Sequence, residues 1–312
     1  MLHIEFERLE QCPEKNPGVP VKVTEMGNVI EVQYMSRRNT KQTIQMLPGG
    51  DKYILCATGE EFEVTHHETR ADNHKGLYKT FALCRALINT NVTDVENVRW
   101  ITLTYAENMT DTKRLYKDFE KFNKRFQYYC EKKEHGKPEY IVMMEPQGRG
   151  AWHAHLLYIW NHKAPYIKNK VLADIWQHGF VKIKKLDNVD NVGAYLTAYL
   201  GDMDFSDCTE YAMTHKCEAK IVDIPQEDGS TLRKAIIKGA RLHLYPANFN
   251  MLRASRGIKR PTVDMVSQEM ATKKVLGATK TFEKTVKLVD QSNEFETVIN
   301  TVQYNKVRKN TQ

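Results

Sequence analysis

The sequence predicts an α+β fold, with helices packed on one face of a central antiparallel sheet and a small β-rich unit at the N-terminus. Three patterns support this prediction. Residues 1–65 alternate between apolar and polar side chains and are interrupted by turn residues, as half-buried strands are. The middle of the chain alternates strand-like and helix-like segments. Two of its strand-like segments are separated only by a short turn, which favours an antiparallel hairpin over a parallel crossover.

The β-rich unit is expected to span residues 1–70. Its alternation is clearest in the segment VPVKVTEMGNVIEVQYM, and a tight turn, Pro48-Gly49-Gly50, precedes the strand-like segment KYILCA. From residue 68 to 91 the spacing of the apolar residues becomes helical. This change indicates the start of a second domain, expected at residues 71–261.

The second domain opens with the most regular patterns of the chain. Residues 98–105 are rich in β-branched and aromatic side chains, which favours a strand. Residues 111–130 are expected to form a helix, because apolar residues recur at helical spacing to form one stripe: Leu115, Phe119, Phe122 and Phe126. Two more strands are expected at residues 140–145 and 153–160, joined by a turn that contains two glycines.

Further elements are expected towards the C-terminus. Residues 166–178 and 189–201 have helical patterns, a short strand is expected at residues 181–184, and another at residues 240–245. The last segment, residues 262–312, is polar and is expected to be a partly helical, flexibly attached tail.

Composition narrows the class of protein. Lys and Arg outnumber Asp and Glu by 46 to 39, which gives a net charge of +7 and mildly favours a polyanionic partner. No run of 18 apolar residues is present, so we expect no membrane span. The 6 cysteines are scattered and include no C-x-x-C pair, so we expect reduced thiols and a cytoplasmic location.

A metal site is predicted around two histidines. His153 and His155 are two residues apart on an expected strand, so both imidazoles point to the same face. Glu145 ends the preceding strand, and a hairpin would bring its carboxylate beside them. Two imidazoles and a carboxylate can bind a divalent ion and leave positions open for water and a phosphate oxygen.

Two tyrosines are candidate nucleophiles. Tyr195 and Tyr199 lie four apart in the segment VGAYLTAYL and share one face of the expected helix. A phenol is a weak nucleophile at its usual pKa of about 10. A phosphate polarised by a metal ion demands less of the attacking group, so the two predicted sites complement each other.

Taken in order, three motifs of this chain resemble those of the HUH endonucleases, which are named for a histidine–hydrophobic–histidine motif. The three are the strand segment TLTY at residues 102–105, GAWHAHLLY with the upstream Glu145, and the tyrosine segment GAYLTAYL. A later segment, RASRGIKRP at residues 253–261, also resembles members of this family. The resemblance covers residues 75–261 and is greatest to rolling-circle replication initiators of plasmids and small phages, two-tyrosine type.

The resemblance implies an HUH-endonuclease-like fold and a reaction. The chain would nick one strand at a replication origin, remain attached through a 5′-phosphotyrosine, leave a 3′-hydroxyl for a polymerase and later rejoin the strand. Glu145, His153 and His155 would bind Mg²⁺ or Mn²⁺, and Tyr195 and Tyr199 would be the paired nucleophiles. The chain departs from many relatives at Ala198, where they carry a lysine.

The expected partner is single-stranded DNA at a replication origin. Two groups of basic residues are candidates for DNA contact. They are Arg253, Arg256, Lys259 and Arg260 in the later segment, and Lys121 and Lys124 on the helix of residues 111–130. The chain has no G-x-x-x-x-G-K-[ST] motif, so we expect a host helicase, as well as a host polymerase, to take part.

Two alternatives share these patterns. One is a transposase or plasmid-mobilisation relaxase of the same superfamily. Relaxases usually add a third histidine, whereas this chain has Leu157 at that position. The other alternative is a non-catalytic origin-binding protein that keeps the fold.

Overall fold

The structure is a computed structural model that describes residues 4–40, 43–64, 74–186, 189, 191–197, 203–204, 219–225, 231–237, 241–290 and 295–308. The chain divides into two compact units. Unit 1 combines Met1–His66 with Pro261–Gln312, and unit 2 is His67–Arg260.

Seventeen strands lie within the described residues. In chain order they are β1 Ile4–Leu9, β2 Val21–Met26, β3 Val29–Met35, β4 Ile44–Met46, β5 Lys52–Leu55, β6 Glu61–Glu63, β7 Val98–Tyr105, β8 Glu139–Pro146, β9 Trp152–Ile159, β10 Gly179–Lys184, β11 Met203–Asp204, β12 Ala219–Pro225, β13 Thr231–Ile237, β14 Leu252–Ala254, β15 Thr262–Val266, β16 Thr279–Asp290 and β17 Phe295–Asn305. The α-helices of the described residues are α1 His74–Asn91, α2 Thr112–Lys132, α3 Asn169–Trp176, α4 Val192–Thr197 and α5 Gln268–Lys274.

Unit 1 contains a six-stranded antiparallel sheet in the order β1-β16-β17-β3-β2-β15. Strands β2 and β3 form the expected hairpin, with Gly27 at a φ of 60° in the turn. The core of the unit is small and lies between this sheet and α5. It consists of Val21, Val23, Ile30, Tyr34 and Ala271. Strands β4, β5 and β6 form a separate small sheet.

The prediction of a flexible polar tail is wrong for the described part of residues 262–312. The segments TKTFEKTVKLVD and FETVINTVQYN form β16 and β17, and β17 pairs with β3 along seven residues. Both segments alternate between polar and apolar side chains, as half-buried strands do. Because their partners lie near the N-terminus, the local pattern could not show where the apolar side chains are buried.

Unit 2 is built on a five-stranded sheet in the order β10-β7-β9-β8-β14, in which every neighbouring pair is antiparallel. The structure is therefore α+β, as expected. The strands expected at residues 98–105, 140–145 and 153–160 are confirmed as β7, β8 and β9, to within one residue at each end. The strand expected at residues 181–184 corresponds to β10.

Helix α2 covers one face of this sheet. The side chain of Asp111 accepts hydrogen bonds from the backbone of Lys113 and Arg114, and so caps the start of the helix. The predicted apolar stripe is fully buried. Phe119 lies 5.3 Å from Tyr140, and Phe126 lies 4.5 Å from Tyr158, between ring centroids. Because Tyr140 and Tyr158 point to one face, their neighbours along each strand point to the other.

The expectation that helices cover only one face is wrong. Helices α1 and α4 pack together, and side chains of both border a small cavity on the face away from α2. Cys84, Ile88, Trp100, Met143, His155 and Leu196 are among the residues that line this cavity. Helical periodicity predicts which side of each helix is buried, but it does not show which face of the sheet that side covers.

Two other local predictions need correction. Residues 240–245 were expected to form a strand, but Leu242–Leu244 form a short 3₁₀ helix. Sequence patterns also missed the hairpin of β12 and β13, which pairs with β11 in a three-stranded sheet. Within the described residues, no helix is both long and apolar enough to cross a membrane.

Candidate metal centre

The hairpin of β8 and β9 brings the predicted metal ligands together. Glu145 on β8 lies opposite His153 on β9, and His155 is two residues further along the same strand. The Glu145 Oε2 atom is 3.4 Å from His153 Nε2 and 3.2 Å from His155 Nε2. The ligand atoms of these three residues all lie within 4.8 Å of one another, so the group could hold a metal ion.

The carboxylate of Glu145 is deeply buried. Its side chain is only 3% exposed, and its Oε1 atom lies 3.0 Å from Nη2 of Arg241. Burial alone raises the pKa of Glu145, but the two histidines and the positive charge of Arg241 outweigh burial and hold this pKa below its usual range. The group is therefore ionised at neutral pH, as a metal ligand must be.

The imidazole of His153 is suited to metal ligation. Burial lowers the pKa of His153, and the nearby His155 and Arg241 act in the same direction against Glu145. The ring is therefore neutral at pH 7 and keeps a lone pair on one nitrogen. Its Nε2 atom is buried and lacks a hydrogen-bond partner among the residues that the structure describes. A buried polar atom of this kind normally has a partner, and a cation in the cluster would supply one.

The orientation of His155 is set by β7. Thr102 lies directly across the sheet from His155, and its Oγ1 atom is 3.3 Å from His155 Nδ1. The indole of Trp100 donates a hydrogen bond of 3.3 Å to the same oxygen. A partner on the second ring nitrogen fixes the orientation of a ligating histidine. The TLTY motif includes Thr102, but only strand register reveals this contact.

The turn of residues 241–245 contributes two side chains that sequence reasoning missed. Arg241 contacts Glu145, and Tyr245 is fully buried beside Trp152, at 5.8 Å between ring centroids. Burial raises the pKa of Tyr245 well above its usual value, and the negative charge of Glu145 adds to this effect. Both residues were assigned to an expected strand, so no sequence signal pointed to the cluster.

The pKa values predict how the metal-free protein responds to acid. Because the pKa of His153 is lower in the folded protein than in the unfolded chain, the unfolded chain binds protons first as the pH falls. We therefore expect stability to decline as the pH drops below about 6.5, the usual pKa of histidine. Glu145, whose folded pKa is also lowered, adds a second loss below about pH 4.3, the usual pKa of glutamate.

This decline can be measured as the urea midpoint at pH 7.5 and pH 5.5 in EDTA. The wild type should lose more stability between these values than His153→Gln does. The matched control is His162→Gln, because His162 is exposed and lies outside the cluster. Equal losses in the wild type and His153→Gln would contradict the prediction.

Tyr195 lies on α4, on the same side of the sheet as the cluster. The next residue, Leu196, lines the small cavity together with His155. The side chain of Tyr195 is 51% exposed, so a substrate can reach its hydroxyl. Tyr199 and Ala198 lie outside the described residues, as does the remainder of the helix expected at residues 189–201.

Close packing fixes the start of α4 on α1. The backbone N–H of Gly193 donates a 2.7 Å hydrogen bond to Oδ1 of Asn89, whose Nδ2 atom donates to Oδ1 of Asn191. A Cβ atom at Gly193 would lie 2.5 Å from the backbone oxygen of Arg85. A backbone oxygen cannot swing aside, so only glycine permits this approach.

Replacing Gly193 with alanine should therefore move α4 away from α1. We expect a loss of stability of about 1–3 kcal/mol, which is typical of overpacking, measured by urea unfolding. The control is Gly18→Ala, where the new Cβ would meet only the Asn16 side chain, at 3.3 Å. An unchanged midpoint in Gly193→Ala would show that the two helices are not held by this contact.

Three of the basic residues expected to contact DNA lie on an exposed turn after β14. Arg256, Lys259 and Arg260 are exposed there. The turn is held by hydrogen bonds from Gly257 N–H to Glu139 and between the backbone of Lys259 and the side chain of Asn91. The turn thus presents three cations on a fixed backbone.

The other three basic residues are placed differently. The guanidinium of Arg253 stacks over the ring of Tyr116 at 3.9 Å and lies 3.6 Å from Glu120. Lys121 and Lys124 are exposed on α2. Helix α2 covers the face of the sheet opposite the Glu145 cluster, so these two lysines do not lie beside it.

Comparison with known protein families agrees with the location of the cluster. Residues 98–204 match a family model described as replication-associated protein of the ORF2 type. This range is about a third of the chain and contains Glu145, both histidines and both tyrosines. The match supports a replication initiator of the Rep type. No curated protein matches the chain.

Proposed function

We propose that the chain is a rolling-circle replication initiator that nicks and rejoins single-stranded origin DNA, using Mg²⁺ or Mn²⁺ and a tyrosine nucleophile. The observation that carries this proposal is the convergence of Glu145, His153 and His155, whose ligand atoms lie within 4.8 Å of one another. The convergence falls inside the range that matches a replication-associated family.

The three ligands would hold the ion through two imidazole nitrogens and one carboxylate oxygen. Glu145 is ionised, and His153 is neutral at pH 7. Both are in the protonation state that ligation requires. When bound, the ion polarises the scissile phosphate as a Lewis acid. Thr102 and Arg241 would orient His155 and Glu145, respectively.

The tyrosine step conserves the number of phosphodiester bonds. The Tyr195 oxygen would attack the phosphorus atom and lose its proton to solvent. The bond between phosphorus and the 3′ oxygen of the preceding nucleotide would break, and that oxygen would leave as a protonated 3′-hydroxyl. The product is a 5′-phosphotyrosine. Attack by a 3′-hydroxyl on this ester would reverse the step and rejoin the strand, with Tyr199 available as a second nucleophile.

The basic surfaces would divide the work of DNA binding. Arg256, Lys259 and Arg260 would neutralise backbone phosphates, a contact that strengthens binding without selecting a sequence. Arg253 would add a cation at the edge of the sheet. Lys121 and Lys124, on the face opposite the cluster, would contact a segment of DNA other than the strand being cut. Host helicase and polymerase would unwind and extend the nicked origin.

The proposal can be tested with a labelled single-stranded origin oligonucleotide and the full chain. With Mn²⁺, a covalent protein–DNA adduct should form, and EDTA should prevent it. A protein that binds the oligonucleotide and yields no adduct would be a non-catalytic origin-binding protein. Adducts that form equally well on oligonucleotides unrelated to the origin would instead favour a transposase or relaxase.

A further inference from the structure

Arg241 makes two contacts with the end of β8. Its Nη2 atom lies 3.0 Å from Oε1 of Glu145, and its Nη1 atom donates a 3.4 Å hydrogen bond to the backbone oxygen of Pro146. The planar fork of a guanidinium can meet two acceptors in a fixed geometry. Arg241 therefore spans the side chain of Glu145 and the backbone of the next residue.

The two oxygens of Glu145 consequently face different partners. Oε2 faces Nε2 of His153 and of His155, whereas Oε1 faces Arg241. A carboxylate free to rotate could exchange these oxygens or turn away from the histidines. The contact with Arg241 favours the single orientation in which Oε2 points into the cluster.

The segment that carries Arg241 is itself anchored. Leu244 N–H donates a 3.0 Å hydrogen bond to the Arg241 backbone oxygen, which closes the 3₁₀ turn. At the other end of the turn, Tyr245 is fully buried against Trp152, the first residue of β9. The turn thus contacts β9 through Tyr245 and β8 through Arg241.

We propose that Arg241 is a positioning residue that holds Glu145 in the orientation needed for metal binding and so sets the affinity of the cluster for a divalent ion. This inference rests on the metal site of the proposed function. Groups that orient metal ligands typically change metal affinity by about 10–100-fold when they are removed. The opposite sign is expected if Arg241 acts only as a nearby positive charge, since its removal would then strengthen cation binding.

The sign of the change therefore tests the inference. The affinity of the full chain for Mn²⁺ is measured from the electron paramagnetic resonance signal of the free ion. Arg241→Ala should bind Mn²⁺ about 10–100-fold more weakly than the wild type, and Arg241→Lys should fall between the two. The matched control is Arg149→Ala, because Arg149 is exposed in the β8–β9 turn and its Nε atom contacts Gln147. It should bind like the wild type.

A second readout separates positioning from general damage to the fold. Adduct formation by Arg241→Ala should be slow at limiting Mn²⁺ and approach the wild-type rate at saturating Mn²⁺. A rate that stays low at saturation would overturn the inference, as would Mn²⁺ affinity equal to or tighter than that of the wild type. If Arg241→Ala does not fold, Arg241→Lys decides, because lysine keeps the charge but cannot span two acceptors.

The same experiment distinguishes this inference from the proposed function. A wild-type chain that binds no Mn²⁺ would overturn the metal-dependent function and this inference together. A wild-type chain that binds Mn²⁺ in a manner that Glu145→Gln abolishes, alongside an unaffected Arg241→Ala, would overturn the role of Arg241 alone.

Discussion

Replacing His155 with alanine is expected to slow nicking at least about 100-fold, equivalent to about 2.7 kcal/mol of transition-state stabilisation. The side chain of His155 is held between Glu145 Oε2, 3.2 Å from its Nε2 atom, and Thr102 Oγ1, 3.3 Å from its Nδ1 atom. Alanine removes one of only three ligands and leaves the phosphate less polarised. The measurement is the single-turnover rate of oligonucleotide cleavage at fixed Mn²⁺.

The matched control for this prediction is His162→Ala. His162 is exposed and its imidazole contacts Asn161 and the backbone oxygen of His135. It should cleave like the wild type. The wild type and His155→Ala should also have similar affinity for the oligonucleotide in EDTA, because the substitution removes no basic side chain of the DNA-binding surfaces. Wild-type cleavage by His155→Ala would reject the cluster as the catalytic metal site.

Replacing Tyr195 with phenylalanine is expected to abolish the covalent adduct. The substitution removes a single oxygen, the atom proposed to bond to phosphorus, and keeps the aromatic ring. Because the Tyr195 side chain is half exposed and no hydrogen bond of its hydroxyl is seen within the described residues, the fold should not depend on this oxygen. The adduct is measured as labelled DNA that migrates with the protein in a denaturing gel.

The controls for this prediction identify the nucleophile. Tyr166→Phe removes the same atom from a side chain that is 82% exposed in unit 2 and should leave the adduct unchanged. Tyr199→Phe should reduce rejoining more than the first nick, because Tyr199 is proposed as the second nucleophile. An adduct that persists in Tyr195→Phe and disappears in Tyr199→Phe would reassign the first attack to Tyr199.

The sequence was most informative where a contact depends on short separations. Helix α2 follows from four apolar residues at helical spacing, and those residues are buried as expected. The pairing of Glu145 with His153 follows from a hairpin only eight residues apart in sequence. Over such distances, strand alternation and turn residues determine which side chains meet.

The contacts that the sequence did not reveal join distant segments. Arg241 lies 96 positions from Glu145 in the chain, and a local pattern made its segment resemble a strand. The alternation of β17 is visible, but its partner β3 lies more than 260 residues away. Periodicity describes what each segment buries and gives no information about which distant segment covers it.

The interleaving of chain ends in unit 1 has a consequence for biosynthesis. Strand β17 lies between β16 and β3 in the sheet, so the sheet cannot close until residue 305 has been made. Unit 2, in contrast, is one continuous segment, His67–Arg260. Because domains generally fold as units during synthesis, the hairpin of β8 and β9 can form on the ribosome while β2 and β3 still await their partners. A ribosome that stalls soon after residue 260 would therefore release a chain whose Glu145 cluster is folded and whose first sheet is not.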